Sequence, residues 1–369
     1  MINVPFADLH AQYLSIQSDI DAAIADIIAN SSFIRGPHVT GFEEAFASLV
    51  DRPHCVSCAN GTDAIYIAMK AMGTGPGEEV IVPAMSWIST SETVSQSGAT
   101  VVFCDIDPKT YTLDPTKLEA LITEKTVGVI PVHLYGHPAD MAAIMEIANS
   151  RSLWVLEDSA QAHLARFEGQ QIATFGAVGT YSFYPGKNLG AMGDAGAIVT
   201  ADAALADEMA KFARHGGLKK GDHEIEGINS RMDGLQAAIL NVKLHHLQSW
   251  TAKRQEIAAR YLEALADLDW LTLPTVDPRA EPVWHLFVVR SANRPDLAAH
   301  LKAQGVATSV NYPRALPFLP CYSARFHRVD EFPVAHQLAE QGLSLPIFAE
   351  ITDAQFDTTI DAIRAYPGT

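Results

Sequence analysis

At 369 residues with 48% hydrophobic content, the chain has the material for a large buried core and, on length, about two or three domains. A formal net charge of −17 argues against nucleic acid or an anionic membrane as the main partner. No charged and then apolar leader opens the chain, no apolar run approaches the about 20 residues of a membrane span, and cysteine use is low, so a cytoplasmic protein is expected.

In chain order, Leu9, Tyr13, Ile16, Ile20, Ile24 and Ile27 form a helical stripe over 9–28, and Phe42, Phe46 and Leu49 mark a second helix. From 54 to 200 strands alternate with helices. Strands are expected at 55–58, 79–83, 100–105, 126–134, 153–158, 179–183 and 196–200, and helices at 61–72, 86–97, 141–149 and 203–214. That alternation predicts a mainly parallel α/β sheet flanked by helices. The spacing of Leu235, Ile239, Val242, Leu247, Ile257, Tyr261 and Leu265 predicts one long helix over 232–268, bent near Trp250. It would bridge a large domain, 1–245, to a smaller α+β domain, 246–369. The second domain reads as strand 283–289, helix 296–304, strand 307–310, and helices near 333–341 and 353–365. The loop 312–331, rich in proline and aromatics, is long enough to be a candidate substrate cover.

Cys55 and Cys58 form a C-x-x-C with no second pair to complete a zinc site, and on a strand they face opposite sides. With Cys104 and Cys321 they read as packing thiols, and no metal is expected. Gly73-Thr-Gly-Pro-Gly77 precedes a strand instead of following one, Gly186-Lys-Asn lacks the Ser/Thr of a phosphate loop, and no G-x-S-x-G occurs.

Three features carry chemistry. Thr180, Tyr181, Phe183 and Tyr184 favour a strand, Pro185 and Gly186 end it, and Lys187 follows in a stretch with little other charge. Such a lysine is either an ordinary solvated side chain or a desolvated amine, nucleophilic toward carbonyls. Leu153-Trp-Val-Leu-Glu-Asp158 reads as a buried parallel strand ending in a carboxylate, at the edge where open α/β sheets bind ligands. Asp158 is also suited to cap a following helix. Together, an acid and a lysine at neighbouring strand ends fit pyridoxal phosphate, which needs a lysine for its aldehyde and an acid for its pyridine nitrogen. Ala59-Asn-Gly-Thr-Asp-Ala64 then leads into an amphipathic helix, and Gly61 and Thr62 at its start could receive a phosphate or form an ordinary capped turn.

These stretches resemble the DegT family of nucleotide-sugar aminotransferases, fold-type I pyridoxal-phosphate enzymes. Matching segments include Ala59–Ala64, Pro131–Gly136, Glu157–His163, Ser182–Gly190, Gly227–Ala238, Asn311–Pro313 and Leu343–Pro346, so the likeness spans nearly the whole chain. The resemblance implies an aspartate-aminotransferase-like large domain with a seven-stranded sheet. It implies that Lys187 takes the cofactor as a Schiff base and then serves as general base, and that Asp158 keeps the pyridine nitrogen protonated. Gln161 would bond near the ring hydroxyl and Trp87 would stack on the ring. Gly61, Thr62 and Ser182 would hold the phosphate, with Asn229 reaching it from a partner subunit, so that the active site is shared across a homodimer. The alternatives for Trp87 and Asn229 are a core tryptophan and a helix cap. Tyr184, His215, Lys219, Arg231, Asn311 and Tyr312 are expected near the nucleotide-sugar, although His215 and Lys219 equally suit a solvated basic loop.

The family often has His at position 311 and Gly at 164, where this chain has Asn311 and Leu164. The implied reaction is ping-pong amine transfer from L-glutamate, through the pyridoxamine form, to the C3 ketone of a dTDP-linked keto-6-deoxyhexose. A UDP-linked 3-keto-N-acetyl sugar acid is the alternative, and a 4-keto sugar follows. A sugar dehydratase of the same fold would carry His at the lysine position, which Lys187 opposes. A non-catalytic cofactor-binding regulator is opposed by the intact Asp158, Gln161 and Lys187 set.

Overall fold

The structure is a computed structural model and describes residues 2–368. The expected N-terminal helix is two helices, α1 (Leu9–Ser15) and α2 (Gln17–Asn30), separated at Ile16, where φ is −133°. One apolar stripe runs through both, so periodicity does not register the break. α3 (Pro37–Leu49) starts on a proline that supplies a preset φ where no amide partner is needed.

Seven strands form the main sheet: β1 (His54–Cys58), β2 (Glu79–Pro83), β3 (Thr100–Cys104), β4 (Thr126–Val129), β5 (Trp154–Asp158), β6 (Val178–Ser182) and β7 (Gly196–Thr200), in the spatial order β1-β7-β6-β5-β4-β2-β3. β2 to β6 pair in parallel, and β7 runs antiparallel to both β6 and β1. The mainly parallel sheet is therefore as expected. Val80, Ile81, Val82, Val155 and Leu156 are buried, as strands covered on both faces require. α4 (Gly61–Ala71), α5 (Ser89–Ser97) and α6 (Met141–Ser150) lie between successive strands, and α7 (Ala203–Phe212) follows the last. The strand expected at 126–134 stops at Val129, and 134–136 is a tight turn with Tyr135 and Gly136 at φ of +59° and +90°. Cys55 and Cys58 are free thiols on β1, both pushed up by burial. Among the described residues, no group of three or more His, Cys, Asp and Glu is placed to hold a metal.

The long helix over 232–268 is also two: α8 (Gly234–Leu244) and α9 (Leu247–Ala264). The break lies at His245–His246, ahead of Trp250, where the His246 N–H bonds back to the Lys243 carbonyl and tightens the turn. We propose this break as the boundary between the domains, in keeping with 245/246. In the smaller lobe, β8 (Phe287–Arg290) pairs antiparallel with β9 (Gly342–Leu345), beside α10 (Arg294–Ala303), α11 (Pro333–Gln341) and α12 (Asp353–Arg364). The strand expected at 283–289 begins only at Phe287. Before it, Val283 and Leu286 bond to the Gly136 and Tyr135 carbonyls of the large domain. The segment 307–310 makes a single bridge, Ser309 to Ser344, and not a strand; the partner of β8 is 342–345, which short apolar patterning did not mark.

The segment 312–331 is folded into short helical turns and fastened to the large domain. Leu316 N–H donates to the Ala84 carbonyl (2.8 Å), the Tyr322 hydroxyl to Ser91 (2.9 Å), and Arg325 to the Val101 carbonyl (2.6 Å). Buried Asp105, just past β3, accepts from the Val334 and Ala335 amides at the start of α11 (3.2 and 3.0 Å) and from Lys117 Nζ (2.8 Å). This cap joins sheet edge to small lobe, where a carboxylate also meets the positive end of the helix. Asp105→Ala should lower the unfolding free energy by about 1–3 kcal/mol without changing the fold, as measured by urea denaturation with circular dichroism.

Candidate active site

The carboxyl edges of β5 and β6 bring the expected residues together. Strand alternation sends neighbouring acids to opposite sides. Glu157 faces inward and accepts from the amides of Ala173, Phe175 and Gly176 (2.7, 2.8 and 2.8 Å) and lies 3.2 Å from His133 Nε2. Because His133 Nδ1 accepts the Ala139 amide (3.0 Å), Nε2 carries the proton and donates to Glu157. Asp158 faces the site. It accepts from Thr90 (2.9 Å) and from the Ala160 amide (3.2 Å), and Ser86 lies 2.9 Å from the Thr90 hydroxyl. Burial raises the Asp158 pKa, against the pull of those two donors and the charges of Lys187 and His133.

Lys187 stands on the turn after β6, its amide donating to the Tyr184 carbonyl (2.8 Å). Burial lowers its amine pKa to about 8, partly opposed by Asp158. Near neutrality an appreciable fraction is therefore the free, nucleophilic amine. His163 is fully buried beside it, packed against Tyr181 and Phe183 with centroids 5.3 and 5.6 Å away, and burial plus the Lys187 charge hold its pKa down to about 3. Leu164 has φ of +71°, a conformation that glycine takes without strain and leucine does not.

At the start of α4, Asn60 accepts the Asp63 amide (2.8 Å), and the Gly61 and Thr62 amides make no hydrogen bond among the described residues. A Cβ on Gly61 would lie 2.6 Å from the Ser182 Cβ, so only glycine lets helix and strand end meet. The Thr62 and Ser89 hydroxyls are 2.6 Å apart. Free amides, hydroxyls and a helix N-terminus make a cradle suited to a phosphate. Gln161 accepts the Tyr135 amide (2.7 Å) and donates to the Tyr312 hydroxyl (3.0 Å), leaving one amide N–H over. Trp87 is 57% exposed, against a core role, with its ring centroid 5.4 Å from that of Tyr312 and the planes tilted by 45°. A flat aromatic ring with a phosphate arm, an aldehyde and a basic nitrogen thus fits the cradle, the stacking face, the amine and the acid.

The remaining expected residues are placed less uniformly. Tyr184 is 60% exposed at the site edge. The Asn311 side chain is taken by Ser344 (2.9 Å), and its carbonyl accepts the Tyr135 hydroxyl, so its bonds fix the path of Tyr312. His215 and Lys219 are exposed on a loop whose far side is tied by Lys211 to Glu224 (2.9 Å). Arg231 is half-buried, and Asn229 is exposed; neither side chain has a hydrogen-bond partner among the described residues. Adjacent Ser230 bonds Asp63 and the Ala59 amide (2.7 and 3.1 Å), which puts this segment beside the phosphate cradle. Asp233 makes no side-chain cap on α8.

Sequence reasoning missed Ser89 and Thr90. The signal available was the unusual run of buried hydroxyls, Ser89, Thr90, Ser91, Thr93 and Ser97, along α5. It also missed Asn188 and His285, which lie 3.2 Å apart behind the lysine turn and have no local signature.

A strand-end amine near a buried carboxylate, beside a helix-start phosphate cradle, is the arrangement of a fold-type I pyridoxal-phosphate enzyme. Residues 14–364 match the DegT/DnrJ/EryC1/StrS aminotransferase family, to which the chain belongs. It is 43% identical to the dTDP-3-amino-3,4,6-trideoxy-alpha-D-glucose transaminase of Streptomyces venezuelae, over 98% of this chain and 96% of that one. It is 42% identical to the UDP-2-acetamido-2-deoxy-3-oxo-D-glucuronate aminotransferase of Pseudomonas aeruginosa, over 93% and 95%. The crystal structure of S. venezuelae DesV in complex with a ketimine intermediate superposes with a TM-score of 0.97 at 43% identity, covering 99% of this chain and 98% of that one. The protein is an aminotransferase, and its cofactor is pyridoxal phosphate, alternating with the pyridoxamine form.

Three outcomes follow from the geometry. The rate at which cofactor-free protein takes up pyridoxal phosphate, followed by visible absorbance, should rise with pH through a midpoint near 8 as Lys187 loses its proton. In Asp158→Asn that midpoint should move down, because the charge that holds the ammonium is gone. Gly61→Ala should weaken retention of the cofactor about tenfold in equilibrium dialysis, by separating the α4 amides from Ser182.

Proposed function

We propose that the protein transfers an amino group from L-glutamate to the C3 ketone of a dTDP-linked keto-6-deoxyhexose, as a cytoplasmic homodimer with a shared active site. The observation that carries the amine chemistry is Lys187, an amine depressed to about 8 beside buried Asp158. The dTDP-linked 3-keto substrate is supported by likeness to the S. venezuelae transaminase.

When bound, pyridoxal phosphate supplies an aldehyde for the donor's nitrogen and an electron-poor ring that spreads the electron pair left at its Cα. The protein's part is positional and protonic. Asp158 would hold the proton on the ring nitrogen, with Thr90 and the Ala160 amide aligning the carboxylate. Lys187, released by the donor, would take the Cα proton and deliver it to the cofactor's aldehyde-derived carbon, on the other side of the nitrogen, a task suited to a base that titrates near the working pH. Gly61, Thr62 and Ser182 would grip the phosphate, Trp87 would cover the ring, and Gln161 would meet its edge.

Asn229 is exposed in the protomer, and nearby Phe33 and Ile34 are large exposed apolar side chains joined by backbone bonds to 233–234. Both observations support a second subunit covering this face. In that arrangement Asn229 of each chain would complete the other's phosphate site. Arg231, Lys219, His215, Tyr184 and Tyr312 would meet the nucleotide-sugar, with Arg231 and Lys219 supplying local positive charge on a chain of net −17.

The test is absorbance of the purified protein with pyridoxal phosphate, before and after L-glutamate, followed by addition of dTDP-3-keto-6-deoxyhexose. The bound-cofactor band should bleach with glutamate and return with the sugar, while Lys187→Ala should show neither response. Return with a UDP-linked 3-keto sugar alone would overturn the nucleotide assignment, and a band indifferent to glutamate would overturn the donor.

A further inference from the structure

His285 is a half-buried imidazole in the strap of chain that crosses from the large domain to β8. Its backbone is held from several sides. Val283 and Leu286 bond to the Gly136 and Tyr135 carbonyls, and Arg254 Nη1 donates to the carbonyls of Trp284, His285 and Ile347 (3.2, 3.3 and 2.9 Å). Even the facing Gly136 has no room for a Cβ, which would lie 2.8 Å from the His285 nitrogen.

The ring's tautomer follows from its neighbours. Asn188 is buried and adjoins Lys187 in the chain; its Nδ2 donates to the Val283 carbonyl (3.0 Å). That fixes the orientation of the amide, so Asn188 Oδ1 is an acceptor. His285 Nδ1, 3.2 Å away, is therefore the donor, and Nε2 of the neutral ring carries a lone pair. The charged and titratable groups acting on the ring are Lys187, Arg254 and His163. Burial and the first two charges hold its pKa well below the ordinary value, so Nδ1–H persists as a neutral donor across the working pH range.

We propose that His285 is a positioning residue for Lys187: through the Nδ1–H bond to Asn188 it locks the turn that presents the amine, and ties that turn to the interdomain strap. It touches neither cofactor nor substrate in this role. The inference rests on the reading of Lys187 as the reactive amine and adds a group that fixes where that amine stands. A misplaced amine would form its cofactor bond more slowly and accept the donor's proton from a poorer angle, while distant substrate contacts stay intact.

Chemistry at the Nδ1 position separates positioning from general packing. His285→Asn keeps an amide N–H where Nδ1 stands; His285→Gln moves it to the Nε2 position; His285→Leu removes it. In the holoenzyme, His285→Leu and His285→Gln should slow bleaching by glutamate about tenfold to a hundredfold, with little change in the concentration of glutamate at half-maximal rate. They should also shift the pH midpoint of the bound-cofactor band. His285→Asn should restore both toward wild type. Asn188→Ala combined with His285→Gln should be no worse than the poorer single variant, as one shared hydrogen bond requires. Thermal melts identify any variant that fails to fold, and the Asn–Gln contrast stands without the Leu variant. Equal behaviour of the Asn and Gln variants, additive effects of positions 188 and 285, or a band and bleaching rate unchanged in Gln would each overturn the proposal. Failure of the Lys187 reading looks different, since the band would then be absent or indifferent in the wild type itself.

Discussion

The site depends on desolvation at one sheet edge. An amine and a carboxylate sit where water is scarce, and each is moved from its ordinary protonation behaviour for the same reason. For Lys187 the result is an amine partly deprotonated near neutrality, the state a nucleophile or base requires. For Asp158 burial alone would favour the neutral acid. Thr90, the Ala160 amide and the lysine's own charge counter it. A protonated ring nitrogen of the bound cofactor would add to that side of the balance. The two groups are thus tuned against one another, and neither can be replaced without shifting its partner.

Around this pair the chain invests its buried polar groups in alignment. Glu157 is bound by three amides and His133, and Gln161 is held between Tyr135 and Tyr312. Tyr312 in turn follows Asn311, whose bonds to Tyr135 and Ser344 bring the small lobe up to the site. Arg254, buried near the hinge between α8 and α9, gathers carbonyls from both the strap and the 347 region. Such satisfied networks restrict the number of arrangements the two domains can adopt.

Much of this was legible in the sequence. Apolar strands ending in Asp158 and before Lys187 gave the sheet and its active edge, because burial on both faces leaves an unmistakable run. The glycine at 61 and the proline–glycine stop at 185–186 placed the cradle and the lysine turn. Legibility failed where the cause was not local. The breaks at Ile16 and His245–His246 occur inside continuous helical stripes, since packing changes the axis and leaves the spacing alone. β9 is short and finds its partner more than fifty residues earlier, and 307–310, equally apolar, finds only a bridge. The bond from the Ser344 hydroxyl to Asn311 Oδ1, which leaves the Asn311 Nδ2 free among the described residues, joins residues 33 positions apart and has no local signature either. Asn188 and His285 meet across 97 positions, which no window of sequence can reveal.

The alternation along β5 has a consequence for how this enzyme can vary. Glu157 and Asp158 are chemically alike yet serve opposite faces, one stapling loop 173–176 beneath the sheet and the other opening to the ligand. A single-residue insertion in 154–156 would turn each to the other's face. The longer acid would then project into the cavity, and the shorter would fall short of three waiting amides. The spacing of this strand is therefore closed to length change: the acid that faces the ligand side and the floor beneath it are encoded by adjacent letters.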